Sequence, residues 1–193
     1  MTKIITIPHL TLRQVSQPIT RPDRHLRRLL TDLQTTLTTT NIGLGLAAPQ
    51  IGSNQRVFAL YLPHPHTKTP TYQYFINPTI TRHSDTLTPD SLNSQTNNLE
   101  GCLSVPHVFA PIPRYTWLDI TYQTLQDGQL IDHQDTLTDF TARVFQHELD
   151  HLDGILFIDH ALRLHTPLYL EDKQGQLQSI SQADFYKIFG KNF

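Results

Sequence analysis

Cysteine and long apolar runs are scarce in this chain of 193 residues, and both shortages restrict the kind of protein it can be. A single cysteine, Cys102, cannot form a disulfide within the chain, which suits a reducing compartment. No run of about eighteen apolar residues occurs, and the N-terminal residues lack the apolar stretch of a signal peptide. We therefore expect a cytoplasmic protein without a membrane-spanning segment.

Charge and composition limit the partners further. A formal net charge of −2 provides no electrostatic footprint for nucleic acid, so we expect no direct nucleic-acid specificity. The hydrophobic fraction of 38% is on the low side but still typical of a globular protein. A chain of this length fits one domain that can bury a core, which we place over residues 1–193.

Glutamate is also scarce, and its placement is informative, because the chain has only Glu100, Glu148 and Glu171. Glu148 lies in the hexapeptide QHELDH, which contains an H-E-x-x-H motif. Helix positions i and i+4 lie roughly 40° apart around the axis, so His147 and His151 can bind one cation. Glu148 then lies beside the metal as a general base. The alternative is a surface helix that carries two unrelated histidines, since the chain has 11.

Catalytic sites of this kind usually take three protein ligands, so a third must come from elsewhere in the chain. An extended motif with a third histidine is excluded because that position is Phe157. Glu171 lies at a tolerable distance downstream, although its surroundings predict a polar turn. Cys102 is the other candidate, although a lone cysteine is more often a small buried apolar residue. The residues alone leave both possibilities open.

A third segment changes this balance. Residues 43–50 read GLGLAAPQ, where small residues allow close backbone approach and the Gln50 amide can donate a hydrogen bond. Alone, the segment predicts a tight loop before a strand. The segments GLGLAAPQ, EGCLS and QHELDH, in this order and at these separations, resemble the three signature motifs of the peptide deformylases. Further agreement at FINP (75–78) and HLDG (151–154) extends the resemblance over most of residues 1–165.

The resemblance implies an activity, a cofactor and partners. Peptide deformylases remove the N-formyl group from the N-terminal formylmethionine of nascent peptides and release formate. The implied cofactor is one divalent metal per chain, with Fe²⁺ as the working metal and Zn²⁺ or Ni²⁺ possible in purified protein. The implied partners are the N-formylmethionyl nascent peptide and, transiently, the ribosome. We expect a monomer.

The resemblance also assigns roles to individual residues. The implied metal ligands are Cys102, His147 and His151. Such ligands leave a cation able to lower the pKa of bound water from about 16 towards 7, and the resulting hydroxide can attack the formyl carbon. The implied catalytic residues are Glu148 as general base and then acid, Gln50 and the Leu103 N–H as oxyanion donors, and Gly45 for close backbone approach. The implied substrate-binding residues are Leu44, Gly101 and Val144.

The sequence predicts an α+β fold in which a central metal-ligand helix packs against mostly antiparallel β-sheets. Leucines at helical spacing predict a helix over 23–38. Strands are predicted at 56–62, 72–77, 118–122 and 130–137, with a hairpin turn at Asp127-Gly128. The metal-ligand helix should begin near Thr138, bury an apolar stripe and stop at Gly154. That stripe comprises Phe140, Val144, Phe145 and Leu152. About 166–193 should form a divergent C-terminal hairpin and short helix.

Other positions carry separate expectations. Where many relatives have an arginine seven residues after the cysteine, this chain has Phe109, and the extra residues 88–98 predict a mobile surface loop. For Arg143 the alternatives are a place at the rim of the substrate pocket and, as the favoured interpretation, a solvated helix residue. Asp150 is expected to pair with Arg114. His64 and His66, between prolines, are more typical of a loop than of a metal site.

Two alternatives to a deformylase stay open. A metal-dependent peptidase that uses Glu171 as its third ligand would lose its metal in Glu171→Ala and keep it in Cys102→Ser. A non-catalytic relative that binds formylated or acetylated N-termini is suggested by Phe109.

Overall fold

The structure, a computed structural model, describes residues 3–40, 43–63, 70–88 and 99–190. It has the α+β architecture that the sequence predicts, with helices packed against two antiparallel sheets. The predicted loop over 88–98, apart from Thr88, and the histidines His64 and His66 lie outside the described residues. Across the described ranges, no helix combines the length and apolar character that crossing a bilayer requires.

The first helix, α1, covers Arg24–Thr40 and confirms the helix predicted from leucine spacing. The Leu26 N–H donates to Asp23 Oδ1 at 2.9 Å, so Asp23 caps the first turn. One face of the helix packs on the first sheet and is buried throughout. Its apolar residues are Leu26, Leu29, Leu30, Leu33 and Leu37.

Five antiparallel strands form the first sheet, in the order β1-β2-β3-β6-β7. Their bounds are Gly45–Ala47, Val57–Pro63, Pro70–His83, Trp117–Gln126 and Gln129–Thr138. Strand β3 continues well beyond the predicted 72–77, past an irregularity in its pairing with β6. The predicted hairpin between β6 and β7 is confirmed, with φ of 48° at Asp127 and 81° at Gly128.

The glycine-rich segment is not the loop that the sequence predicts. Residues Gly45–Ala47 form β1, which pairs with β2 in the register Gly45↔Leu60, and residues Ala48–Ile51 form a 3-10 helix. A strand of three residues is too short to show an alternating pattern in the sequence. Residues Gly45–Ala47 are a strand only because they pair with β2. The segment is thus held rigidly beside the site described below.

The helix that carries the H-E-x-x-H motif, α2, covers Asp139–Leu152 and begins after Thr138, as predicted. Phe145 is fully buried, with its ring centroid 5.2 Å from that of Phe58 and 5.3 Å from that of Phe75. The helix is therefore anchored to the first sheet by aromatic packing. One prediction for its apolar stripe is wrong: Phe140 is 53% exposed, because its side chain lines an open cleft instead of packing in the core.

The second sheet has the order β4-β5-β8-β9, with strands Leu99–Cys102, Val105–Pro111, Leu168–Glu171 and Leu177–Ile180. Strands β4 and β5 and the helix α3, Phe157–Leu164, were not predicted. The predicted C-terminal hairpin is present as β8 and β9, followed by helix α4 at Gln182–Phe189. Because β8 pairs with β5, this hairpin extends the sheet that carries Cys102.

Candidate active site

The fold brings together three side chains that are distant in sequence. His147 and His151 project from α2, and Cys102 lies at the end of β4, where a register shift follows Gly101. One ligand atom from each residue lies within 4.8 Å of the other two, and Cys102 Sγ lies 3.2 Å from His151 Nε2. Among the described residues this is the cluster of histidine, cysteine and acidic side chains that could hold a metal ion, and Glu171 is not part of it.

The donor set fits a divalent cation. Bond lengths to nitrogen and sulfur in tetrahedral sites place neighbouring ligand atoms about 3.5 Å apart, close to the sulfur–nitrogen distance found here. Burial alone would raise the pKa of the Cys102 thiol, but the two imidazoles outweigh it and hold that pKa well below its usual value. The sulfur is therefore available as a thiolate, the form that binds metals.

Glu100 orients His147. Its Oε2 lies 3.0 Å from His147 Nδ1, which leaves Nε2 of that ring for a metal. Arg114 donates to both carboxylate oxygens at 2.8 and 2.9 Å, and Arg143 donates to one of them at 3.3 Å. Although burial opposes ionisation, these partners, Arg114 foremost, hold the pKa of Glu100 far below its ordinary value. A buried carboxylate thus fixes the tautomer of a candidate ligand.

The same arginine ties this carboxylate to α2. Arg114 Nη1 donates to Asp150 Oδ2 at 2.6 Å, which confirms the predicted pair. Asp150 also lies 2.9 Å from His160 Nε2 on α3. The ligand helix is therefore connected to β4 through the guanidinium of Arg114, which is 5% exposed, and to α3 through the Asp150 carboxylate.

Glu148 lies inward, 3% exposed, against the backbone of β1. A β-carbon at Gly45 would lie 2.7 Å from both Cγ and Cδ of Glu148, so the glycine leaves space for this carboxylate. Its Oε2 is buried and has no hydrogen-bond partner among the described residues. Burial, the largest cause, raises the pKa of Glu148 to about 7. An acceptor without a donor beside the ligand cluster is where a water molecule would be held.

Gln50 lies in the 3-10 helix and is fixed by the last residue of β1. Its Oε1 accepts from the Ala47 N–H at 2.7 Å, which directs Nε2 towards the ligand cluster. Nε2 donates to Ser104 Oγ at 3.2 Å and lies 3.6 Å from Cys102 Sγ. The amide therefore presents N–H groups beside the candidate metal position.

A cleft with a volume of about 580 Å³ opens onto the cluster. The residues that the sequence assigned to substrate or oxyanion binding all line it, namely Leu44, Gly45, Gln50, Gly101, Leu103 and Val144. Residues without such an assignment also line it, namely Phe140, Arg143, His107, Phe109 and Glu171. The cleft is thus bounded on one side by β1 and α2 and on the other by the second sheet.

Sequence reasoning placed two of these residues incorrectly or not at all. Arg143 is not a solvated helix residue: its side chain is 8% exposed and donates to Glu100, to the Ile112 carbonyl and to Thr88 Oγ1. Glu100 received no role, although its membership in the motif that contains the cysteine was a signal. Both side chains can be buried because they belong to one ion-pair network, in which Arg114 and Arg143 neutralise Glu100.

Comparison with known proteins gives consistent matches. A family model described as polypeptide deformylase matches residues 1–166. The peptide deformylase of Phenylobacterium zucineum is 39% identical over 163 residues, 84% of this chain and 88% of that protein. Peptide deformylase 2 of Nostoc sp. is 34% identical over 98% of this chain and 95% of that protein. The crystal structure of peptide deformylase from Thermotoga maritima superposes with a TM-score of 0.70 at 32% identity, covering 83% of this chain and 97% of that one.

Proposed function

Because the chain belongs to the polypeptide deformylase family, we propose that it removes the formyl group from N-terminal formylmethionine with one divalent cation held by Cys102, His147 and His151. As a member of this family, it is a hydrolase that acts on the formyl-methionine amide. The observation that carries the metal-dependent mechanism is the convergence of these three ligand atoms beside the buried Glu148 carboxylate.

The reaction adds water to the formyl carbon and breaks the carbon–nitrogen bond, so that formate and a free amino terminus are released. When bound, the cation supplies Lewis acidity, which polarises the formyl oxygen and acidifies a water molecule. Glu148 accepts the proton of the attacking water and later gives it to the departing nitrogen. Burial, which by itself raises the pKa of Glu148, favours uptake of a proton by this carboxylate, and the adjacent cation would oppose that rise.

The negative charge that develops on the formyl oxygen needs donors. Gln50 Nε2 is held in place by the hydrogen bond that its Oε1 accepts from Ala47, so it needs no reorganisation during the reaction. The Leu103 N–H is the second proposed donor, since Leu103 lines the same cleft and lies between Cys102 and Ser104, the two residues that Gln50 Nε2 contacts. Loss of one such donor typically raises the barrier by about 3 kcal/mol.

The methionine side chain is proposed to lie against Leu44, Gly101 and Val144, which all line the cleft. Phe140 is added to this group, because it lines the same cleft and is 53% exposed without substrate. Burial of apolar surface by methionine would favour this position.

A thiolate and two imidazoles accept Fe²⁺, Zn²⁺ and Ni²⁺, and we propose Fe²⁺ as the working metal. The thiolate beside iron predicts that aerobic purification loses activity. A transient encounter with the ribosome, a monomeric state, a cytoplasmic location and one catalytic domain over residues 1–193 stay predictions.

The test is formate release from a short N-formylmethionyl peptide by anaerobically purified, Fe²⁺-loaded protein. Turnover that is lost in Glu148→Ala, with the metal content unchanged, supports the proposal. A metal-loaded sample that binds the peptide without turnover would instead indicate the non-catalytic role.

A second test concerns the third ligand. Metal content should fall in Cys102→Ser and stay at the wild-type level in Glu171→Ala, since Glu171 lies outside the cluster. The reverse result would favour the peptidase alternative.

A further inference from the structure

The C-terminal hairpin brings an acidic side chain to the mouth of the cleft. Strands β5 and β8 pair with Val108 opposite Leu170 and Phe109 opposite Tyr169. Val108 and Leu170 belong to the buried side of the second sheet. Because side chains alternate along a strand, the residues on the other face turn towards the cleft. Glu171 is the last residue of β8 and lines this cleft.

Glu171 is only partly neutralised there. Its Oε2 lies 3.1 Å from Nδ1 of His107. His107 lies on β5, two residues before Phe109. The structure gives Oε1 no hydrogen-bond partner among the residues it describes, and the side chain is 35% exposed. The Glu171 carboxylate thus lies at the entrance with one oxygen bonded to His107 and the side chain partly exposed.

The other charged side chains along the cleft are buried or bonded to other protein groups, as follows. Glu100 and Arg143 are buried and bonded to each other, and Glu148 is buried beside the ligand cluster. At position 109 an uncharged ring packs over Gly101, whose β-carbon would lie 2.5 Å from Phe109 Cε1. The charge that a peptide meets on this wall is therefore that of Glu171.

We propose that Glu171 is a specificity-determining residue that favours peptides with lysine or arginine shortly after the formylmethionine and disfavours peptides with aspartate or glutamate there. This inference rests on the proposed function, because it assumes that the peptide main chain leaves the ligand cluster along the cleft. A charge at a solvent-accessible rim changes selectivity more than overall affinity.

The experiment compares formylated tetrapeptides, N-formyl-Met-Ala-Ala-Ala, that carry lysine, glutamine or glutamate at the second, third or fourth residue. At one of these positions kcat/KM should be about fivefold higher for lysine than for glutamate. The ratio should shrink when salt is raised from about 0.05 to 0.5 M, because screening weakens exposed charge pairs. Packing differences would not respond to salt in this way.

Two variants and a control isolate the carboxylate. In Glu171→Gln the lysine-to-glutamate ratio should fall below about twofold, and in Glu171→Lys it should invert. The control is Asp132→Asn, an exposed carboxylate on β7 whose Oδ1 accepts from Gln123 Nε2 at 2.8 Å. Asparagine keeps that acceptor and removes one negative charge far from the cleft, so the ratio should stay at the wild-type value.

Binding of the product peptides, such as Met-Ala-Lys-Ala and Met-Ala-Glu-Ala, measured by calorimetry, separates the two proposals. If formylated peptides are turned over but neither turnover nor product binding depends on charge, the inference about Glu171 is overturned and the deformylase stands. If metal-loaded protein turns over no formylated peptide, the proposed function fails. If the lysine product peptide still binds more tightly than the glutamate one, and Glu171→Gln removes that difference, the cleft remains supported as a peptide-binding site.

Discussion

The Glu148 carboxylate lies against the α-carbon of Gly45, where a β-carbon would come within 2.7 Å of two of its side-chain carbons. This contact explains the glycine in structural terms: it leaves room for the proposed base, in addition to the close substrate approach that the sequence suggested. In Gly45→Ala the carboxylate must move, and we expect kcat/KM for a formylated peptide to fall by about 100-fold. The control is Gly43→Ala, whose β-carbon meets the flexible ends of Leu37 and Leu103 at 3.0 and 3.1 Å and makes an ordinary contact with the Gly45 carbonyl oxygen at 3.6 Å. Equal losses in both variants would contradict this explanation.

Glu100 should determine metal affinity without binding the metal. Its hydrogen bond to His147 Nδ1 at 3.0 Å fixes the ring that offers Nε2 to the cation. Replacement by glutamine keeps an acceptor but loses the charge, so we expect metal affinity to fall 10- to 100-fold. Competition with a chelator of known affinity measures this. Glu171→Gln, the same change outside the ligand cluster, should leave the affinity unchanged.

Arg114 neutralises the buried carboxylate of Glu100 on β4 and the partly buried carboxylate of Asp150 on α2, at distances of 2.6 to 2.9 Å. In Arg114→Met, the buried Glu100 would lose both of its closest hydrogen-bond donors and keep the longer contact with Arg143, and the free energy of unfolding should fall by about 3 to 5 kcal/mol. Urea denaturation measures it. Arg82→Met removes an ion pair of similar length from the exposed face of the first sheet. The urea midpoint of that variant should hardly differ from the wild-type value. A small effect of Arg114→Met would mean that water replaces the guanidinium.

The two parts of the site differ in how far the sequence could predict them. The H-E-x-x-H spacing requires a helix to place His147 and His151 together, so α2 and its proposed role followed from local geometry. The place of Cys102 beside the two histidines was predicted only from the family resemblance. Strands β4 and β5 are too short and irregular to show a clear alternation of polar and apolar residues. The roles of Glu100 and Phe140 depend on which elements pack together, and no local pattern carries that information.

Burial of Glu148 should make the metal-free protein sensitive to pH. Its pKa is raised by burial from an ordinary value of 4.5 to about 7, so the folded state binds the proton more tightly than the unfolded state. The associated stability is fully present below about pH 4.5 and is lost as pH rises through about 7, a difference of about 3 kcal/mol. In Glu148→Gln this loss should be absent. Denaturant titrations of both metal-free proteins at pH 5 and pH 8 measure how much the free energy of unfolding changes with pH. An equal change in the wild type and in Glu148→Gln would show that the carboxylate is solvated.

The C-terminal helix should be part of the same cooperative unit as the active site. Phe185 on α4 is fully buried in the cluster that contains Val105, Val108 and Phe157, so the tail covers the back of the sheet that carries Cys102. Phe185→Ala should lower the free energy of unfolding by about 3 to 5 kcal/mol, because it removes buried surface and leaves a cavity. Ile188→Ala, on the same helix but 54% exposed, should have a much smaller effect. If the chain is one domain, calorimetry will show a single transition that moves as a whole in Phe185→Ala. A separate low-temperature transition would instead show that the hairpin and α4 unfold independently, and Glu171 would then leave the cleft before the ligand cluster is lost.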